Sequence, residues 1–311
     1  MRAVRETSLP NGVRVVLVER HGFPLVAAEL HIDPGALDVE DPGGLNVAET
    51  AQLFGRGGDQ KVFDGLGAQS AATGVTWTTG RNDDSTWVTT RSPSGAFDAS
   101  LEMLAGSSIH SHLSPGEYDR RAAELAQVAA WKVGTVVTVE KAILFAPDHA
   151  YAGRFPKTAV ISQDDAQELH DRIFQPAHAT LVIVGDVTPA QVDESAARWF
   201  GTWSATRPMP PRKTVSPPPR NGPRVAVLSR RALAQRLGAV FARGPVATSD
   251  DAAAFELAAK VLGGATSSTL FEHLREESGA AYSVRTQVLT DRTATWLSIS
   301  ASYDRNKALC C

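Results

Sequence analysis

The same succession of apolar and polar segments occurs twice along the chain. Residues 14–18 read Arg-Val-Val-Leu-Val, and residues 224–228 read Arg-Val-Ala-Val-Leu. A second apolar segment follows each, Leu25–Ile32 and Arg236–Phe241. In the first of these, Val26, Ala28, Leu30 and Ile32 share one face, the two-residue period of a half-buried strand. Then comes an acidic turn (Asp38 to Asp41; Asp250-Asp251) and a helical run ending Leu53-Phe54-Gly55 or Val261-Leu262-Gly263. The offset is 210 residues at Arg14/Arg224 and 209 at Leu53/Leu262. A near-constant offset between strand–strand–helix units predicts a duplicated domain.

Other elements are legible in the same way. Val75–Thr78 and Ser85–Thr90 are β-branched and aromatic, which predicts strands. Tyr118, Ala122, Leu125 and Ala129 form one helical stripe between Glu117 and Trp131. Thr180–Val184 is an apolar run closed by Gly185-Asp186, and a helix is expected from Pro189 to Phe200, ended by Gly201. The second copy continues with helices over Asp250–Leu262 and Ser267–Glu277, the latter stopped at Gly279. Strands over Ala281–Val288 and Ala294–Ala301 follow, joined around Thr290-Asp291-Arg292. These readings divide the chain into a first domain over 1–206, a proline-rich extended linker over 207–223 and a second domain over 224–311. The second copy is less than half the length of the first. It is expected to be truncated, with an unfilled sheet edge and an uncovered face.

Composition narrows the function classes. The chain has 311 residues, 43% hydrophobic and 21% charged, with a net charge of −3. These are globular values for about two domains. They exclude nucleic-acid binding through bulk electrostatics. No apolar stretch approaches the ~18 residues of a membrane span. Met-Arg-Ala-Val-Arg-Glu-Thr carries no leader, so a cytoplasmic location is expected, or a periplasmic or organellar one if a leader was removed. The only cysteines are Cys310 and Cys311, which excludes a disulfide scaffold and an internal cysteine zinc site. That pair could mimic a prenylated tail; a truncation or altered reading frame is the preferred account.

Several segments resemble the insulinase/pitrilysin-type peptidases, which include the mitochondrial processing peptidase. They are Leu9-Pro10-Asn11-Gly12-Val13-Arg14-Val15-Val16, Pro42-Gly43-Gly44-Leu45, and Leu181-Val182-Ile183-Val184-Gly185-Asp186-Val187 with Phe200-Gly201-Thr202-Trp203. The fourth is Leu270-Phe271-Glu272-His273-Leu274-Arg275-Glu276-Glu277-Ser278-Gly279-Ala280-Ala281-Tyr282-Ser283-Val284. The resemblance implies an α+β fold of two homologous α/β sandwich domains enclosing a peptide chamber. Active members carry His-x-x-Glu-His on the first helix, so that two histidines share a zinc and the glutamate serves as base. Here Val47 and Ala51 stand at the histidine positions and Thr50 at that of the base, with Gln127 and Val128 near the third ligand. No histidine lies between His31 and His110, so no shift of register restores the motif, and Glu49 reads as a solvated helix residue.

The second-half signature is kept. In the family an arginine and a tyrosine of this segment reach the bound peptide backbone, and Arg275 and Tyr282 match them. On residue chemistry alone, Arg275 could equally pair with Glu272 or Glu276 and Tyr282 be half-buried in a strand. Other candidates are weaker. His110-Ser111-His112 reads as a surface loop, His149 and Tyr151 as a structural Pro-x-His-x-Tyr turn, and Gly263-Gly264-Ala265-Thr266 as a helix stop. The resemblance implies a non-catalytic subunit that holds no cofactor and orients peptide substrate for a catalytic homologue carrying His-x-x-Glu-His and the zinc. The alternative is a structural scaffold without a proteolytic role. A peptidase active on its own is not expected.

Overall fold

The computed structural model describes residues 4–33, 60–82, 84–111, 115–116, 118–120, 123, 140, 143–145, 149, 151, 162–205 and 235–304. Val47, Glu49, Thr50, Ala51, His112, Gln127, Val128, the linker 207–223, Cys310 and Cys311 lie outside the described residues. By contact the chain divides into two compact units, Met1–Ala129 with Pro156–Lys213, and Ala130–Phe155 with Thr214–Cys311. The sequence reading draws the first domain as one run, whereas the contacts group 130–155 with the second unit.

Among the described residues of the first unit, a six-stranded sheet is ordered β1-β2-β6-β3-β5-β4. The strands are β1 (Arg5–Ser8), β2 (Arg14–Glu19), β3 (Leu25–Ile32), β4 (Thr76–Arg81), β5 (Thr86–Pro93) and β6 (Ala179–Gly185). β6 runs parallel to β2, with Arg14 opposite Thr180, and antiparallel to β3, with Leu30 opposite Leu181. Consecutive strands β2 and β3 are therefore kept apart by one that comes late in the sequence. The near-continuous apolar run of β6 suits this central place, with Leu181 and Ile183 fully buried. β3 shows the expected alternation, with Val26, Ala28, Leu30 and Ile32 buried.

Four helices cover the described part of this unit: α1 (Gln60–Thr73), α2 (Phe97–Ser108), α3 (Gln163–Ile173) and α4 (Pro189–Phe200). Leu101 and Leu104 of α2, Ile173 of α3, and Val192 and Phe200 of α4 join the strands in one core. α3 and α4 both begin with a capping box. The Ser162 hydroxyl accepts from the Asp165 N–H while the Asp165 carboxylate accepts from the Ser162 N–H; Thr188 and Gln191 repeat the arrangement. Each cap satisfies otherwise orphaned helix donors, an effect of about 1 kcal/mol. At the end of β6, Gly185 adopts φ +152°, and a Cβ there would lie 2.3 Å from the Leu25 carbonyl oxygen. α4 has the bounds read from the sequence. α2 was not foreseen; it ends at Ser108, just before the segment read as a surface loop. Ser107 and Ser108 are buried because their hydroxyls donate to the Leu104 carbonyl within the helix. His110, just beyond, is exposed.

Among the described residues, which do not include the segment 224–228, the second unit holds a three-stranded antiparallel sheet ordered β7-β9-β8. Its strands are β7 (Gln235–Arg243), β8 (Ala281–Asp291) and β9 (Ala294–Asp304), with helix α5 (Ala252–Gly263) packed against β8. Glu140, Leu144, Phe145, His149 and Tyr151 belong to this packing. The Trp296 indole N–H donates to the Glu140 carboxylate, and Arg243 donates to the Leu144 carbonyl. The Phe145 ring lies 5.6 Å from Trp296, 4.8 Å from His149 and 5.4 Å from Tyr151. All four rings are buried, so His149 and Tyr151 serve the packing, as the turn reading implies. Among the described residues, Leu257 and Val261 on α5 and Leu237 and Val240 on β7 are exposed. No helix among them is long and apolar enough to cross a membrane.

Candidate functional site

After α5 the chain makes one helical turn, α6 (Thr269–Phe271), and continues as a π-helical segment, Glu272–Glu277. The Ser278 N–H reaches back five residues to the His273 carbonyl at 3.2 Å. The sequence predicts a single regular helix here. The wider turn accommodates an extra residue, and such insertions are frequent at functional sites. Gly279 then takes φ +56°, the left-handed geometry that ends helices and strains any residue with a Cβ. At the start of β8 the ladder slips, because Ala281 faces Tyr303 while Ser283 faces Ser302. Tyr282 is the bulged residue between them. Two departures from regular structure thus flank Gly279, one carrying Arg275 and the other Tyr282.

These two residues meet. Arg275 Nη1 donates to the Tyr282 carbonyl oxygen at 2.6 Å. The guanidinium carbon lies 5.1 Å from the Phe271 ring centroid and 5.5 Å from that of Tyr282. Both distances are within the range for attraction between a cation and an aromatic face. Arg275 Nε is 3.8 Å from the Glu276 carboxylate, a long ion pair, with the arginine side chain 43% exposed. Tyr282 is 69% exposed, so it is not the half-buried strand tyrosine that residue chemistry alone allows. Its place in a bulge explains this, since a bulged side chain is released from the alternation of the ladder. Beside the pair, His273 Nδ1 stands 2.5 Å from the Glu277 carboxylate. That hydrogen bond raises the imidazole pKa above its ordinary value.

The chemistry available is recognition. A guanidinium carries five fixed donors, of which the Tyr282 carbonyl takes one. A carbonyl or carboxylate acceptor approaching from solvent can meet the others. Sequence reasoning singled out Arg275 and Tyr282 but not Phe271. Its four-residue spacing from Arg275, which puts both on one helical face, is the signal that could have found it. Val47 and Ala51, which the resemblance sets at the histidine positions and which lie outside the described residues, carry no side-chain donor atom that could ligate a metal ion. Among the described residues no group of three or more His, Cys, Asp or Glu is placed to hold a metal ion.

Residues 161–309 match the family model described as the peptidase M16 inactive domain. No curated protein matches the sequence. The fold is similar to that of a protease from Helicobacter pylori, with TM-score 0.87 and 18% identity over 98% of this chain and 76% of that one. It is also similar to a peptidase M16 inactive domain from Pseudomonas fluorescens, with TM-score 0.76 and 16% identity over 97% of this chain and 74% of that one. A periplasmic protease from Escherichia coli matches with TM-score 0.72 and 17% identity over 98% of this chain and 35% of that one. Residues 161–309, just under half of the chain, are thus similar to the peptidase M16 inactive domain, and the fold as a whole is similar to that of M16-like peptidases.

Proposed function

We propose that this chain is a non-catalytic subunit of an M16-type zinc peptidase, pairing with an active homologue and orienting its peptide substrate. The observation that carries the reading is the contact between Arg275 and Tyr282 at the exposed edge of the second unit. It is set against the replacement of the motif positions by Val47, Thr50 and Ala51. A chain that has lost its metal donors while keeping an ordered, solvent-facing guanidinium can bind a peptide backbone but cannot activate water. Zinc, and the glutamate that uses it, would come from the partner. Arg275 would then hold a peptide carbonyl, its charge favouring the oxygen lone pairs in a partly desolvated setting.

The test is cleavage of a quenched unfolded peptide by this chain co-purified with a homologue carrying His-x-x-Glu-His, against each chain alone. Cleavage by the complex only is expected. Arg275→Ala should then lower turnover per unit substrate by roughly ten- to a hundred-fold, the scale of one charge-assisted hydrogen bond. An unchanged rate would remove Arg275 from the reading. A stable complex that does not cleave would assign the chain a scaffold role instead.

A further inference from the structure

Strand β7 makes a sheet edge unlike the others among the described residues. We infer that this edge is an interface with a second copy of this chain. The two β7 strands pair antiparallel about a two-fold axis, and the two three-stranded sheets join into one. β8, which begins beside Arg275 and Tyr282, forms the opposite edge, so the interface is independent of the peptide-holding reading.

A sheet edge presents a row of unpaired N–H and C=O groups, and edges that stay solitary are kept short, charged or bulged. β1 has four residues and reads Arg5-Glu6-Thr7-Ser8. β4 reads Thr76-Trp77-Thr78-Thr79-Gly80-Arg81, and β8 carries the slip at Tyr282 and the exposed Ser283, Arg285 and Gln287. β7 has none of these protections. It runs nine residues, keeps an unbroken register with β9, and among the described residues has no strand on its other side. Leu237-Gly238-Ala239-Val240-Phe241-Ala242 carries no charge, and Leu237 and Val240 are 56% and 64% exposed.

This strand is complementary to itself. With Ala239 on the axis, Leu237 faces the partner's Phe241, and Gly238 faces the partner's Val240. A large aliphatic residue thus meets an aromatic one, and a gap meets a branched one. The Tyr303 ring floors the gap, 3.1 Å from where a Cβ on Gly238 would lie. In the same register Arg236 falls opposite the partner's Ala242 and Arg243 opposite the partner's Gln235, so no like charges are opposed. A strand of another sequence would have to reproduce this pattern, whereas a second copy supplies it by symmetry. The pairing also closes, because the outer edges of the joined sheet are the two bulged, polar β8 strands.

The test is the association state of the full chain, in a Cys310→Ser, Cys311→Ser background that makes any introduced thiol the only one. Sedimentation should show a dimer that dissociates on dilution. Val240→Lys sets two ammonium groups diagonally across the axis on one face, where neighbours lie about 7–8 Å apart. It should raise the dissociation constant roughly ten-fold or more. Val240 is exposed, so the circular dichroism of this variant should match the parent's; if it does not, paired thiols decide. Ala239→Cys brings two thiols face to face, with Cα atoms about 5 Å apart, inside the span of a disulfide. Mild oxidation should link two copies through it. Ala242→Cys is the control, because its two copies lie about 20 Å apart along the strands and should not link. A chain that is monomeric at every concentration overturns the inference. So does a folded Val240→Lys variant that dimerises as the parent does, or a link that forms as readily through Ala242→Cys as through Ala239→Cys. Hydrogen exchange that protects β7 only when the catalytic homologue is present would give the edge to that homologue and overturns it too. None of these results bears on peptide cleavage, so the interface and the proposed function fail separately.

Discussion

His273 projects from the π turn with its Nδ1 against the Glu277 carboxylate, and His21 lies between Asp186 at 2.8 Å and Glu19 at 3.3 Å. In both, the hydrogen bond to a carboxylate raises the imidazole pKa. A raised folded-state pKa stabilises the fold when the group is protonated. The contribution is complete below the unfolded value of ~6.5 and disappears as pH rises through the folded value. Glu277→Gln should therefore return the His273 titration, followed by NMR, toward the ordinary imidazole value. It should lower the thermal midpoint slightly near pH 6 and leave it unchanged near pH 9. A His273 pKa at or below the ordinary value in the parent chain would contradict the contact. The same clasp at His21 fastens the end of β2 to the turn after β6, where Ser94 donates to the second Asp186 oxygen at 3.0 Å.

Helices α2 and α4 are tied by one carboxylate. Asp98 accepts from the Ser195 hydroxyl at 2.7 Å, the Trp199 indole at 3.1 Å and Arg198 at 2.9 Å. Burial works against its charge, yet these donors together hold its pKa below the ordinary value. With the side chain 43% exposed, solvent weakens the effect. Asp98→Ala should cost about 1–2 kcal/mol, read as a lower urea midpoint at constant slope. Elements of this kind were unequally legible in the sequence. α4 could be read because Pro189 and Gly201 mark its ends. β3 could be read because burial of one face leaves alternating apolar positions, and β6 because its half-buried face is apolar too, which leaves a continuous run. α2 escaped because its buried face is built partly from Ser100, Ser107 and Ser108, which satisfy themselves on backbone carbonyls and so look polar in the sequence. The site was half legible for a similar reason. Arg275 and Tyr282 are marked by a family signature, while the π turn and the bulge depend on hydrogen-bond registers that residue types do not encode.

Across the whole molecule, residues distant in sequence complete each unit. Glu140 and Trp296, 156 positions apart, share a buried hydrogen bond, and Phe145 covers the same indole. A fragment of residues 235–304 should therefore expose Trp296, its only tryptophan. Its emission should be red-shifted and quenched readily by acrylamide, and adding a peptide of residues 132–155, which carries no tryptophan of its own, should reverse both. A fragment that already shields Trp296 would show that the second unit needs nothing from that segment.

The place of β6 between β2 and β3 also bears on how the chain leaves the ribosome. The β1–β2 hairpin and the β3-β5-β4 sheet can form early, but nothing joins them until residues 179–185 emerge. At roughly 5–20 residues per second, two strand edges that end in the middle of the finished sheet stay open for on the order of ten seconds. Those edges are apolar, with Val15, Leu17, Leu30 and Ile32 all buried in the completed unit. During that interval the nascent chain is a natural client for chaperones that shield open strands. Slowed translation between β5 and β6 is where misassembly would begin.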